Sequence, residues 1–379
     1  MDSIQTITLI ESGILSSSSS SDSSDDEELY SVICNGIHHV KPKVKDFVVN
    51  VVHSFTDDEF LRNFRLSRTT VDRIVRNFMS SDYYPKYTAG KPTISAEAHI
   101  LMFLWFAGNK TVIRIVAQVF NCSESSFFVV FNRVVEFLLN ILPSIIKMPT
   151  SNDDKIQCAY EFQQIAGIPD VLGAIDGSYI SIRKPKHKIR STYVNRHHDC
   201  SLTLQGIFCN AKKKFVDVCT GTPGKMHDAR ILQHSFIYKD TYLQQVCGSK
   251  YHILGDAAYP LEENIITPFK DYGNLTNNEK LFNKNHAKTR VVIENTFGLL
   301  KGRFRQLLKL DFLLAEKDSN FILACCVLHN LCTDDDDLVP EQPPIEVEEL
   351  PENVTLNIHP GTLQSREKGF QKRKMLCSL

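Results

Sequence analysis

What this 379-residue sequence lacks narrows its reading first. Its eleven cysteines contain no C-x-x-C pair, which argues against a zinc site built on cysteine pairs. Their scattered spacing fits a reducing, intracellular setting better than a disulfide framework. No glycine-rich phosphate loop and no G-x-S-x-G nucleophile elbow occurs. No apolar stretch approaches a membrane span, and the first residues show no basic n-region followed by an apolar one, so no membrane is expected. No repeat of fixed period is present.

Charge is unevenly placed. The formal net charge is −1, yet residues 1–29 hold seven acids and no Lys or Arg, and residues 333–379 hold ten acids against five bases. That leaves 27 acids and 38 bases in residues 30–332, a body of +11. A basic body is what a polyanion binder needs for steering and counterion release; equally, Lys and Arg can simply solubilise a surface. The Ser/Asp run 16–24 and the Pro/Glu-rich run 340–352 cannot bury enough apolar surface to fold, so both ends read as disordered acidic segments. Such ends could compete with nucleic acid for the basic body, or be no more than solvated tails. Lys372-Arg373-Lys374 is a short basic cluster of the kind that serves nuclear import, though three residues carry little weight.

Four segments follow from the patterning: 1–54 extended or disordered, 55–148 helical, 149–332 mixed α/β, and 333–379 an acidic tail. In the helical part, Ser67 and Ser95 are placed as N-caps of apolar-periodic helices. A helix over 111–120, the turn Asn121-Cys122-Ser123 and a long helix to about 142 give the outline of a helix-turn-helix, or of an ordinary helical hairpin. The second helix opens Glu124-Ser125-Ser126-Phe127-Phe128 and reaches no base until Arg133, unlike most base-reading helices. After Pro149 the pattern turns to strands, at 171–175, 179–182, 201–209, 215–220 and 251–254. A short helix opens at Asp228 and a long one covers 290–308. Its apolar face is Ile293, Phe297, Leu300 and Phe304. The order predicts a layered α/β fold.

Acids stand where strands end. Asp176 follows 171–175 and Asp256 follows 251–254; such positions converge when their strands are neighbours. Glu294 lies on the long helix off its apolar face, and Asp228 starts the short helix after His227. Hard oxygen donors of this kind suit Mg²⁺ or Mn²⁺. A metal activates water and stabilises a leaving oxygen, and a two-metal site, with ions roughly 3.5–4 Å apart, does both. Arg183, Lys184, Lys186, Lys188, Arg190, Arg290, Lys301, Arg303 and Arg305 are candidates to hold phosphate. Singly, each acid has a plainer role: Asp176 and Asp256 as turn formers, Asp228 as a helix cap, Glu294 as the partner of Arg290. His197, His198, His227 and His329 do not form a zinc set, since neighbours in a strand face opposite ways; they are expected at the surface or supporting a ligand.

Four motifs carry a family resemblance. They are Gly173-Ala174-Ile175-Asp176-Gly177-Ser178-Tyr179-Ile180, Pro223-Gly224-Lys225-Met226-His227-Asp228-Ala229-Arg230, Leu254-Gly255-Asp256-Ala257-Ala258-Tyr259-Pro260, and the run from Arg290-Val291-Val292-Ile293-Glu294-Asn295 to Gly302-Arg303-Phe304. In this order and over most of 149–332 the chain resembles the PIF/Harbinger DDE transposases and the Harbinger transposase-derived nucleases. The resemblance implies an RNase H-like DDE endonuclease domain with Asp176, Asp256 and Glu294 as catalytic triad. It also implies Asp228 as a fourth metal ligand, His227 behind it, and Mg²⁺ or Mn²⁺ as cofactor. It implies phosphodiester hydrolysis in DNA, a nuclear location with the cytoplasm as alternative, and a Myb-like DNA-binding partner; an oligomer is compatible. The alternatives are a catalytically silent, host-adopted DNA- or chromatin-binding protein, and a metal-dependent phosphatase or nuclease acting on RNA.

Overall fold

The computed structural model describes residues 43–86, 93–185, 190–195, 197–209, 213–335, 337 and 363–378. Residues 1–42 and 338–362, where both low-complexity runs fall, lie outside the described residues, as do Lys186 and Lys188.

The helical layer starts with α1 (Asp57–Phe64), closed by a capping box in which Thr56 and Glu59 satisfy each other's exposed amides. In α2 (Arg68–Ser80) and α3 (Ala96–Asn109) the side chains of Ser67 and Ser95 accept the third helical amide, as predicted, and in α5 (Glu124–Ile145) Ser123, read only as the end of a turn, does the same. The short α4 (Ile113–Val119) precedes α5. α3 is buried almost all round, from Ala96 to Gly108. Its Phe103 and Phe106 meet Phe127, Phe131, Phe312 and Phe321 in a cluster of rings with centroids 5.3–6.0 Å apart. Edge and offset contacts of this kind add about 0.5–1.5 kcal/mol per pair beyond area burial. One sequence expectation needs correcting here. α5 is long and apolar enough to cross a membrane, but Phe127, Phe131, Val134, Phe137 and Leu138 place it in the core.

A helix the sequence reading missed, α6 (Asn152–Ala166), follows Pro149 where strands were expected. Ser151 caps it, and Gly167 at φ 82° ends it in the left-handed conformation that favours glycine. The sheet is five-stranded in the order β3-β2-β1-β4-β5. β1 (Val171–Ser181), β2 (Ser201–Cys209) and β3 (Lys214–Pro223) form an antiparallel meander. β4 (His252–Leu254) and β5 (Ile265–Ile266) add in parallel on the other side of β1. Between β3 and β4 lie α7 (Asp228–His234) and α8 (Tyr242–Cys247).

β1 is one eleven-residue strand, not two short pieces separated at Asp176-Gly177. The Asp-Gly pair reads as a turn in isolation, but β2 continues to pair with it, Asp176 opposite Gly206 and Gly177 opposite Gln205. Alternate side chains serve two cores. Ala174 and Ile180 join the helical layer, α9 (Asn277–Arg303) and α10 (Ala315–Asp334). Ile175 faces the second core with α6, α7 and α8.

α9 starts thirteen residues before the expected 290, at a capping box of Thr276 and Glu279, and ends at Arg303. Residues Arg305–Leu308 form a separate 3₁₀ turn. The supposed tail is also partly folded. α10 runs to Asp334; Asp335 then accepts from Arg73 at 2.7 Å and from Thr70 at 2.8 Å, and Asp337 from the Ser67 amide at 2.9 Å. α11 (Leu363–Cys377) docks beside β5. Lys372 Nζ donates to the carbonyls of Ser249, Tyr251 and Glu263, and Arg373 donates to those of Thr267 and Pro268. The basic cluster therefore works largely inside the fold.

Candidate acidic active site

The register of the parallel pair decides where the two aspartates meet. Ala174 pairs with Leu254, and Asp176 and Asp256 each stand two residues further along their own chains. β4 stops at Leu254, so Asp256 lies beyond a strand end as predicted, whereas Asp176 lies inside a strand that has lost its neighbour on that side. Both are buried, at 8 % exposure.

α9 supplies the third acid. Asp176 shares the face of Ala174, which packs with Ile293 and Phe297 of α9. Arg290 and Glu294, one helical turn apart, stand on one face of that helix. Arg290 Nη2 donates to Asp176 Oδ2 at 2.9 Å, and the Gly177 amide donates to Asp176 Oδ1 at 2.7 Å. Burial pushes the Asp176 carboxyl up, to about 6. Arg290 and the Gly177 amide pull it back; Asp256 and Glu294, both negative, push it further up. Burial draws the Arg290 guanidinium down, but Asp176, Asp256 and Glu294 outweigh it and the net direction is up. The three acids of the expected triad thus feel one another around a single guanidinium.

Asp228, the first residue of α7, is buried close to β1 at Gly177. Its Oδ1 would lie 2.7 Å from a Cβ at position 177, so a larger residue there would have to push the Asp228 carboxylate aside. His227 is exposed at the N-cap position of α7 and makes no side-chain cap. Among the described residues, no three His, Cys, Asp or Glu side chains stand in a geometry ready to hold a metal ion. The donor chemistry nonetheless fits a hard divalent cation: buried carboxylates in excess, with Arg290 beside Asp176.

The candidate phosphate-binding residues divide. Arg183 and Lys184 are exposed just past β1, and Arg305 is half-buried. Lys301 Nζ donates to the Tyr179 carbonyl at 2.9 Å. Arg303 is corrected: it is 2 % exposed and donates to the Asp337 carbonyl at 3.1 Å, so it holds the end of α10 and is closed to a phosphate. His197 and His198 are exposed, while His329 is buried, bonded to the Lys213 carbonyl at 2.9 Å and pulled down to about 4 by burial.

Two residues of the site escaped the sequence reading. Tyr259 is buried, with its hydroxyl donated to Gln205 Oε1 at 3.3 Å. Burial first, then Asp228, Asp176 and Asp256, pushes that hydroxyl well above its usual range. The signal for Gln205 was a long polar side chain in the middle of an apolar strand.

Comparison with known proteins gives the family of the chain. Residues 175–330, which include Asp176, Asp228, Asp256 and Glu294, match a family described as DDE superfamily endonuclease. The human protein named "Putative nuclease HARBI1" is 30% identical over 249 residues, 63% of this chain and 67% of its own. The Arabidopsis thaliana protein named Antagonist of Like Heterochromatin Protein 1 is 27% identical over 312 residues, 78% of each chain. No solved structure matches. With its acids carried on β1, past β4 and on α9, and with these relatives, the chain belongs to the Harbinger-derived DDE nuclease family.

Proposed function

We propose that the protein is a divalent-metal-dependent DNA endonuclease with Asp176, Asp256 and Glu294 as its acidic triad and Asp228 as an added carboxylate. The observation that carries this reading is that Asp176 and Asp256, each two residues past the last pair of the β1–β4 ladder, lie close enough to each other and to Glu294 for their charges to interact, with Asp176 held at about 6 by burial and by its negative neighbours. Mg²⁺ or Mn²⁺ suits such donors, and when bound supplies an activated water and charge compensation at the leaving oxygen.

The chain's own residues do the remaining work. The Gly177 amide keeps Asp176 Oδ1 oriented, and Arg290 balances its charge until a cation takes over that role. Arg183, Lys184 and Arg305, outside the acidic cluster, are open to phosphates further along a bound strand, and His227, exposed at the start of α7, is assigned a supporting role next to Asp228. The family description and the name of the human relative say endonuclease and nuclease, which supports a nucleic-acid substrate, and DNA is our reading of it. In this reading the protein acts in the nucleus, with a Myb-like partner supplying sequence-specific binding. The exposed start of α5, Glu124 and Ser125, is poorly equipped to read bases.

The test is Mn²⁺-dependent nicking of supercoiled DNA by the wild type beside Asp176→Asn and Glu294→Gln. Nicking by the wild type alone is the expected result. A folded wild type that cuts no DNA, even with a Myb-like partner added, would overturn the proposal and favour a binding protein that does not cut.

A further inference from the structure

The turn that carries Asp256 leaves the β1–β4 ladder behind, with Gly255 at its start lying close to the Ile175 side chain of β1. The ladder between β1 and β4 ends at Ala174 and Leu254. The next backbone bond, Gly255 N to Ile266 O at 3.0 Å, ties the chain to β5, away from Asp176. The turn closes on itself: the Ala258 amide donates to Asp256 Oδ1 at 3.0 Å and the Tyr259 amide to the Asp256 carbonyl at 3.2 Å. Those bonds give it a shape but no address.

Tyr259 supplies the address. Its side chain packs against Gly255, where an added Cβ would meet it at 3.1 Å. Its hydroxyl reaches Gln205 Oε1 on β2, directly opposite Gly177 in the β1–β2 register. The bond thus runs from the Asp256 turn, past the strand bearing Asp176, to the strand beyond. At 3.3 Å it is long for a hydroxyl donor, but both residues are almost completely buried, at 4 % and 1 % exposure, and no water competes.

We propose that Tyr259 is a positioning residue, whose hydroxyl, hooked on Gln205 across β1, fixes the Asp256 turn at the separation from Asp176 that the site needs. The kinetic consequence rests on the endonuclease reading; the positional one does not.

The experiment compares the full-length wild type with Tyr259→Phe, Gln205→Met and the double variant. Amide exchange in metal-free protein, Mn²⁺ binding followed by electron paramagnetic resonance, and nicking kinetics are measured on each. In Tyr259→Phe, exchange at positions 257–259 should quicken about tenfold while β1 and β2 amides stay protected. Mn²⁺ binding should weaken by about three- to tenfold, and kcat should fall about tenfold with KM for DNA unchanged within about twofold. The double variant should be no worse than either single one, because both remove the same bond. Wild-type exchange in the turn of Tyr259→Phe, or effects of the two substitutions that multiply, would overturn the proposal. A wild type that never nicks would overturn the endonuclease reading alone, since exchange and Mn²⁺ binding still decide the role of Tyr259.

Discussion

Arg290 Nη2 stands 2.9 Å from Asp176 Oδ2, with the two side chains only 15% and 11% exposed. Removing one partner of a buried pair strands the other charge, typically at a cost of about 3–5 kcal/mol. Here the stranded carboxylate would also face Asp256 and Glu294. Arg290→Met is therefore expected to lose stability by about that amount at pH 8, and far less at pH 5, where Asp176 can take up a proton. Urea unfolding at the two pH values checks this, and added Mn²⁺ should recover part of the loss at pH 8. An equal loss at both pH values would show that packing, not charge, is what Arg290 provides.

The titration of Asp176 carries its own prediction. Its folded value, about 6, lies above the ordinary 3.8, so between these values the native state holds more protons than the unfolded one. The destabilisation from its charge is complete above about pH 6 and disappears as pH falls toward 4. A shift of this size corresponds to about 3 kcal/mol. A cation and a proton compete for the same carboxylate, so Mn²⁺ affinity should fall with pH below about 6, by up to about tenfold per unit. Titrations from pH 5 to 8 test this; the dependence should flatten in Asp176→Asn.

Asp318, at the start of α10, is wholly buried, and only weak donation from the Phe312 amide reaches its carboxylate among the described residues. Burial, then the neighbouring Asp311, pushes it up to about 8, with the Phe312 amide pulling the other way. Its penalty is absent near pH 4 and complete above about pH 8. Asp318→Asn should thus match the wild type near pH 4 and exceed it by about 1–3 kcal/mol at pH 8. His286 and His329, both pulled down to about 4 by burial, contribute with the opposite sign but equally to both proteins. Denaturation curves across this range would refute the idea if the two proteins stayed parallel.

α11 is held through a notch. A Cβ at Gly369 would fall 2.5 Å from the Glu262 carbonyl carbon, backbone that cannot step aside. Gly369→Ala should lift the helix and free Lys372 and Arg373 from their carbonyl partners. Trypsin cleavage after those two residues should then quicken by at least about tenfold. Cleavage at the wild-type rate would mean that the helix tolerates the methyl group and stays docked.

Local chemistry made part of this fold legible. Ser67 and Ser95 announce helix starts because a short hydroxyl side chain there satisfies an otherwise unpaired amide. Asp256 was legible as a strand-end acid and Asp176 was not, since its strand continues; their approach needed only that β1 and β4 be neighbours, which they are. What stayed hidden depends on tertiary context. β1 runs through Asp176-Gly177 because β2 pairs with it, a fact no local pattern holds. α10 is buried from Phe321 to Cys332 with few breaks, so it shows no polar face to give it a period. The first half of α9 is rich in Asn and Lys and stands by its capping box and its packing. α11 is a polar, basic stretch at the end of an acidic tail and folds by borrowing carbonyls from the loops around β4 and β5.

α3, α5, α10 and one face of β1–β3 share a single continuous core, and Asp335 and Asp337 pin α2 to the end of α10. The helical layer is therefore not a reader on a leash. Its position relative to the acids is set by the shared core, so lengthening a surface loop would not shift one against the other.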